Sequence, residues 1–326
     1  MNMKKDNKLL PYRVGGLLYA PAINTKIADK IEQQAYPGLT SMAFCLEDSI
    51  QDSALEHAEQ ELKKTLIAIK NKNIPDEDLP LLFVRIRNPQ HLIHVNSFLE
   101  NLTCLLTGYI LPKFDLSNAA DYIEAILVIN KSRKKPLFIM PILESKMIAD
   151  IEGRIHTLLN IKSYLAKANE YVLNVRVGGN DFSNLYGLRR TITQNIYQIG
   201  VIRDILIDII NVFAADYVVS GPVWEYFGTE DGLWSDGLCK ELELDKLNGF
   251  VGKTAIHPSQ IPYIYESMKV LKSDYDDALK ILNWSPSEYG VEKSADSSRM
   301  NEVKCHIKWA NRIAILGKVY GIREKL

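Results

Sequence analysis

The sequence predicts an α/β protein, a (β/α)8 barrel of the TIM type followed by a C-terminal helical extension. Short apolar segments alternate eight times with segments of helical periodicity. The 326 residues suffice for a barrel of about 250 residues plus an appended part. The second to sixth apolar segments all end in charged residues, which is typical of a barrel whose strand ends share one face. We therefore assign residues 1–264 to the barrel and 265–326 to the extension.

The predicted strands are short runs of apolar and β-branched residues that end at proline, glycine or a charge. The sixth run reaches two glycines, Gly178 and Gly179, and then Asp181, so we expect its end to deliver this acid into a site. In chain order the predicted strands are 17–21, 41–46, 81–87, 109–113, 136–144, 175–181, 217–221 and 249–258.

The predicted helices carry apolar residues at helical spacing, and Asn24 and Ser117 stand where N-caps are expected. An open, doubly wound sheet is the main structural alternative, but the first strand lacks the G-x-G-x-x-G turn of a dinucleotide site. A polar loop, 285–298, is expected between the last two helices. The predicted helices are 25–34, 54–71, 91–102, 117–130, 148–167, 199–212, 261–272, 275–282 and 302–320.

The overall charge excludes some classes of function. The 39 basic and 40 acidic residues leave a net charge of -1, so no global field favours nucleic acid or an anionic membrane. No apolar run is long enough to span a membrane, and no signal-peptide core follows the basic residues 1–8. The four cysteines form no C-x-x-C pair, which disfavours zinc and disulfides. We expect a cytoplasmic protein that binds neither nucleic acid nor membranes.

The charges at the predicted strand ends suit one kind of chemistry. Glu144 and Asp181 offer hard oxygen ligands for Mg²⁺, which takes only one or two protein carboxylates. Arg85 can clamp a substrate carboxylate through two parallel hydrogen bonds, and Lys113 can add a second positive charge. A metal ion and two cations around a small pocket would stabilise an enolate or an α-keto acid.

Other residues near these ends have two interpretations each. Glu47 and Asp48 can hold the cations or metal-bound waters, or can cap the following helix. Lys113 can instead form a Schiff base. His257, which is held extended by the proline after it, can shuttle protons or form hydrogen bonds within its loop. The long segment 222–237 is expected to be a lid or a subunit contact, with its tryptophans, Trp224 and Trp234, used for packing.

Seven motifs between residues 17 and 264 together resemble the citrate lyase β-subunit-like group of the HpcH/HpaI aldolase superfamily. The last of them is the most specific, because it is close to the family pattern Gly-Lys-x-x-Ile-His-Pro-x-Gln-Ile. The motifs are Leu18-Tyr19-Ala20-Pro21, Leu46-Glu47-Asp48-Ser49-Ile50, Val84-Arg85-Ile86-Arg87, Leu111-Pro112-Lys113, Pro141-Ile142-Leu143-Glu144-Ser145, Gly178-Gly179-Asn180-Asp181-Phe182 and Gly252-Lys253-Thr254-Ala255-Ile256-His257-Pro258-Ser259-Gln260-Ile261.

The resemblance implies cleavage of carbon–carbon bonds on a (β/α)8 barrel with Mg²⁺. It assigns the substrate carboxylate to Arg85 and the metal to Glu144 and Asp181. Arg87, Gly179 and Asn180 complete the predicted substrate-binding set, and Glu47, Asp48 and His257 the supporting set.

Two departures from the family pattern bear on the substrate. Ser145-Lys146-Met147-Ile148 replaces the family's Thr-x-x-Gly, and the seventh strand ends in Val219-Ser220-Gly221 without the acid of malyl- and citryl-CoA lyases. The chain therefore resembles a divergent branch, the lyases encoded beside stress and tellurite-resistance genes. A CoA thioester stays open as a substrate.

Three functions follow from these patterns. The first is a Mg²⁺-dependent retro-aldol or retro-Claisen lyase for a small carboxylate or 2-oxo acid, with Arg85 and Lys113 as catalytic cations. The second acts on a phosphorylated sugar or nucleotide-derived substrate, clamped by Arg85, Arg87, Lys113 and Lys253. The third is a non-catalytic barrel subunit of an assembly. We expect homo-oligomers, because members of this family form them and the extension shows no core of its own.

Overall fold

The computed structural model describes residues 8–284, 291–293 and 299–324. Most of the predicted polar loop 285–298 lies outside these ranges. None of the described helices is long and apolar enough to cross a membrane. The eight barrel strands are β1 Gly16–Pro21, β2 Ser41–Cys45, β3 Leu81–Arg85, β4 Gly108–Leu111, β5 Phe138–Leu143, β6 Val175–Val177, β7 Val219–Ser220 and β8 Lys253–Ala255.

These strands form one parallel sheet that closes on itself. Sequential strands are neighbours throughout, and β1 pairs with both β2 and β8. A parallel bridge between Gly221 and Lys253 joins the two ends of the sheet. The predicted (β/α)8 barrel is therefore confirmed, and the carboxyl ends of all eight strands open on the same face.

Helices cover the outside of the barrel, and several predicted boundaries are wrong. The eighth strand is shorter than the predicted 249–258, the helix expected at 261–272 ends at Met268, and no helix was predicted at residues 233–247. The helix expected at 148–167 is divided, because Asp150 is extended and a new helix begins after Gly153. The sixth strand stops at Val177 rather than at Asp181. The helices are α1 Leu10–Arg13, α2 Ile27–Glu32, α3 Leu55–Asn71, α4 Pro89–Leu99, α5 Ala119–Asn130, α6 Lys146–Ala149, α7 Arg154–Ala166, α8 Gly179–Leu185, α9 Gly200–Phe213, α10 Leu233–Leu247, α11 Ile261–Met268, α12 Lys272–Leu282 and α13 Val303–Tyr320.

Apolar side chains form three separate clusters. The largest lies between the sheet and the surrounding helices, and includes Val175, Val177 and Ala255. A second fills the lower part of the barrel interior, where Phe83 and Ile142 meet residues from other strands. The alternation of strand side chains between these two clusters decides which residues can reach a site inside the barrel.

The third cluster belongs mainly to the C-terminal extension, which was predicted to lack a core of its own. Helices α12 and α13 pack together through Ala278, Ile281, Ile313 and Leu316, with Val251 from the barrel at the edge. Four short strands accompany these helices. They are β9 Val270–Leu271, β10 Val291–Lys293, β11 Met300–Glu302 and β12 Ile322–Arg323. The prediction of homo-oligomers now depends on the family resemblance alone.

Candidate active site

A cavity of about 180 Å³ opens at the carboxyl ends of the barrel strands. Its walls come from β1, β3, β5, β6 and β8 and from loops at the carboxyl ends of the strands, including those after β2 and β7. A larger hollow of about 710 Å³ lies elsewhere, between residues 30–40 and α11, and contains no predicted site residue. The smaller cavity is lined by six of the predicted site residues, namely Asp48, Arg85, Glu144, Gly179, Asn180 and Asp181.

Arg85 is the centre of the charge network in this cavity. Its Nη2 lies 2.7 Å from Glu47 Oε2, 2.9 Å from Asp48 Oδ2 and 3.7 Å from Glu144 Oε1. Burial opposes the charge, but the surrounding acidic groups outweigh it and raise the pKa of Arg85, so the guanidinium stays charged. Its Nε is buried and has no hydrogen-bond partner among the described residues.

Lys113 completes the network from the end of β4. Its Nζ lies 2.5 Å from Glu47 Oε1 and 3.4 Å from Asp48 Oδ1. Its backbone N–H donates to Glu144 Oε1 at 2.8 Å, and its φ of 48° lies in the left-handed region, which non-glycine residues adopt at a cost. Glu47 and Asp48 therefore hold both cations in place, and Lys113 in turn orients Glu144.

Glu144 is a carboxylate that is held close to the backbone of the next strand. Only 5% of its surface is exposed, and burial together with the nearby Asp181 raises the pKa of Glu144 to about 8. A Cβ atom at Gly178 would stand 2.2 Å from Glu144 Oε2. Glycine is therefore required there, and the turn it forms starts α8, whose first turn contains Asp181.

Replacing Gly178 with alanine is expected to reduce the free energy of unfolding by about 1–3 kcal/mol, because the added methyl group must displace the Glu144 carboxylate or the strand. Gly200→Ala is the matched control, since a Cβ there meets no atom within 4 Å. Urea denaturation of both variants measures the difference. Equal stabilities would show that Glu144 is not confined by the Gly178 backbone.

The acids in the cavity fit Mg²⁺ better than a metal that needs a closed protein cage. No group of three or more His, Cys, Asp or Glu residues suitable for a metal exists in the part of the chain described. Glu144 and Asp181 supply two carboxylates, and Mg²⁺ usually takes one or two, with water or substrate in its other positions. The donor set is therefore compatible with Mg²⁺ and argues against a structural zinc site.

Two predicted residues, Arg87 and His257, point away from the cavity. The Nε of Arg87 donates to the Leu46 carbonyl at 2.7 Å and its Nη2 to the Ile50 carbonyl at 2.6 Å, so Arg87 braces the loop after β2. His257 Nδ1 lies 2.8 Å from the Ser259 hydroxyl, and the ring stacks on Phe227. These contacts correspond to the loop-stabilising interpretation of His257.

The prediction that Lys253 clamps a phosphate is wrong. Its side chain is fully buried, with Nζ 2.9 Å from Glu241 Oε1 and 2.7 Å from Asp245 Oδ2. The Pro222 carbonyl accepts a further hydrogen bond at 2.6 Å. Lys253 fixes α10 and the loop after β7 against the barrel wall, and it cannot contact a ligand in the cavity.

The segment after β7 packs on the barrel through its tryptophans, as predicted for them. Trp224 is fully buried, and its indole N–H donates to the Trp234 carbonyl at 3.0 Å. The Arg190 guanidinium stacks on the Trp224 ring, with 4.9 Å between its Cζ and the ring centroid.

The sequence interpretation missed three residues that line the cavity, Tyr19, Arg176 and Thr254. Tyr19 lies beneath Arg85, whose Cζ is 5.5 Å from the ring centroid. In the sequence Arg176 stands within an otherwise apolar, β-branched run. Its flanking valines face the helices, so the alternation of strand side chains could have placed Arg176 inside the barrel.

Comparisons with known proteins agree with this fold. The model of one protein family, described as C-C_Bond_Lyase of the TIM-Barrel fold, matches residues 8–322. Among curated proteins, no match was found.

Solved structures share the fold at low sequence identity. CitE from Mycobacterium tuberculosis, in complex with magnesium, acetoacetate and coenzyme A, is 19% identical with a TM-score of 0.61, over 94% of this chain and 99% of that one. The citrate lyase β subunit from the same organism, with oxaloacetate and magnesium, is 19% identical with a TM-score of 0.52, over 78% and 98%. RipC from Yersinia pestis is 18% identical with a TM-score of 0.54, over 79% and 95%.

Proposed function

The chain belongs to the C-C_Bond_Lyase family of the TIM-barrel fold, and we propose that it is a Mg²⁺-dependent lyase that cleaves a carbon–carbon bond in a small carboxylic or 2-oxo acid. The observation that carries this proposal is that Arg85, Glu144 and Asp181, which are far apart in sequence, line one small cavity. Two structural neighbours that were crystallised with magnesium and acetoacetate or oxaloacetate support the choice of ion and of substrate class.

Glu144 and Asp181 would hold the ion. Mg²⁺ bound there would supply a Lewis acid for the carbonyl oxygen, on which negative charge develops as the bond breaks. The backbone N–H of Lys113 donates to Glu144, and Asp181, in the first turn of α8 after Gly178, lines the same cavity, which supports this assignment.

Arg85 and Lys113 would bind and orient the substrate. Arg85 lines the cavity and its Nε has no partner among the described residues, so its guanidinium would offer a charge-assisted hydrogen bond to a substrate carboxylate. Glu47 and Asp48 hold Arg85 and Lys113 before the substrate arrives, so little reorganisation is needed during the reaction. Two fixed cations beside the ion would stabilise an enolate more than its neutral precursor.

The proposal is tested by incubating the protein with small 2-oxo and hydroxy acids, with and without their CoA thioesters, and trapping the carbonyl product as a hydrazone. The thioesters belong in the panel because one neighbour was crystallised with coenzyme A. Turnover should require Mg²⁺, stop with a chelator and disappear in Asp181→Asn. The exposed Asp204 provides the control variant Asp204→Asn. Chelator-resistant turnover, or full activity of Asp181→Asn, would contradict the proposal.

Mg²⁺ affinity is expected to depend on pH because of Glu144. The pKa of Glu144 in the metal-free protein is raised to about 8, mainly by burial, so the side chain carries a proton at pH 7 that the ion must displace. The association constant should therefore rise about tenfold per pH unit below pH 8 and level off above it. Calorimetric titrations at several pH values measure this slope, and a pH-independent constant would rule out Glu144 as the titrating ligand.

A further inference from the structure

Arg176 is a buried cation that the proposed chemistry does not use. It lies on β6 with only 1% of its surface exposed, and it lines the cavity. Its Nη2 donates to the Thr254 hydroxyl at 2.7 Å. Its other two nitrogen atoms, Nε and Nη1, have no hydrogen-bond partner within the described part of the chain.

The absence of a counter-ion distinguishes Arg176 from the other buried cations. Arg85, Arg154, Arg190 and Lys253 each lie within 2.9 Å of a carboxylate oxygen. No carboxylate among the described residues forms an ion pair with Arg176. The groups that interact with its charge are Tyr19, which is also a side-chain hydrogen-bond partner, and Arg85. An unpaired buried charge destabilises the fold, so its retention indicates that a ligand supplies the missing negative charge.

The position of Arg176 fixes where that charge would sit. Arg176 on β6 pairs with Ile142 on β5. Ile142 stands two residues before Glu144, and Arg176 stands two residues before Gly178. Two strand residues correspond to about 6.6 Å, so Arg176 lies one layer deeper than the metal-binding acids. Tyr19 interacts with both arginines, and Arg85 lies over the face of its ring. A short carbon chain with an acid group at each end would bridge the two layers.

We propose that Arg176, assisted by Thr254, binds a second carboxylate of the substrate, so that the substrate of the lyase proposed above is a short dicarboxylic acid. One guanidinium matches the single charge of a carboxylate, whereas a phosphate carries about -1.5 to -2 and would need a further cation at this depth. The volume of about 180 Å³ leaves room for a small acid of this kind.

The test compares two probes of the same chain length, succinate with two carboxylates and butyrate with one. Calorimetry at saturating Mg²⁺ should show that the wild-type protein binds succinate roughly 10- to 100-fold more tightly than butyrate. Arg176→Met should bind both acids with the affinity that the wild-type protein has for butyrate. Arg85→Lys should weaken the binding of both acids and leave the ratio of their affinities unchanged. An unchanged ratio in Arg176→Met, or no preference in the wild-type protein, would overturn the proposal.

Two further measurements separate this proposal from others. Arg176→Met should melt at the same or a higher temperature without ligand, since the substitution removes an unpaired charge, and Arg203→Met at the exposed Arg203 is the control. A lower melting temperature would indicate a structural role and contradict the proposal. Inorganic phosphate is the probe of the second measurement. If it bound more tightly than succinate, and if this binding required Arg176, the dicarboxylate assignment would be contradicted.

The Mg²⁺ affinity of Arg176→Met should match that of the wild-type protein. If the wild-type protein bound no Mg²⁺, the proposed lyase function would fail. The succinate preference, measured without metal, would still decide the role of Arg176.

Discussion

Replacing Glu144 with glutamine is expected to lower Mg²⁺ affinity by at least about 100-fold, beyond the about 10- to 100-fold typical for residues that only orient a ligand. The substitution keeps the size of the side chain and the acceptor oxygen for the Lys113 N–H, but it removes the charge that the ion needs. Lyase turnover should fall together with the Mg²⁺ affinity. Calorimetry measures the affinity, and a melting curve verifies that the fold persists.

Glu152→Gln is the matched control for this experiment, because Glu152 is exposed and lies in the loop before α7. It should bind Mg²⁺ as the wild-type protein does. If Glu144→Gln retained Mg²⁺ affinity within about threefold, the ion would have to bind elsewhere, and the assignment of Glu144 as a ligand would be wrong.

Replacing Lys253 with methionine is expected to reduce the free energy of unfolding by about 3–5 kcal/mol, the range observed when one partner of a buried ion pair is removed. Methionine fills much of the same volume but leaves Glu241 and Asp245 without their shared cation. The Pro222 carbonyl also loses its donor. Denaturation in urea gives the change directly.

Lys272→Met tests the same chemistry at the surface, where the side chain of Lys272 is 47% exposed and paired with Asp276. Its effect should stay within about 0.5 kcal/mol, because solvent screens an exposed pair. If Lys253→Met lost as little free energy of unfolding as Lys272→Met, the ion pairs of Lys253 would not be what holds α10 to the barrel.

The sequence was sufficient to predict the order and number of the barrel strands, because parallel strands are buried on both faces and form uninterrupted apolar runs. Their ends were harder to place. The sixth run continues past Val177 as Gly-Gly-Asn-Asp, and nothing in its composition shows that α8 begins at Gly179. That boundary depends on the contact between the Gly178 backbone and Glu144, which is a tertiary contact.

The alternation of side chains along each strand decides which of the predicted site residues face into the barrel and which face the helices. Glu144 and Arg85 continue the inward-facing positions of β5 and β3, and both line the cavity. Lys253 occupies the opposite face of β8 from Thr254 and therefore meets α10 instead. Arg87 lies beyond the end of β3, where alternation no longer determines its direction. Counting strand positions from a known inward residue would have excluded Lys253 and included Arg176.

The most direct test is anomalous X-ray diffraction from crystals grown with Mn²⁺ in place of Mg²⁺, since both ions prefer oxygen ligands. We predict one strong peak within coordination distance of a Glu144 oxygen and an Asp181 oxygen, on the cavity side of Arg85. A peak at any other carboxylate, with none between Glu144 and Asp181, would contradict the proposed metal site.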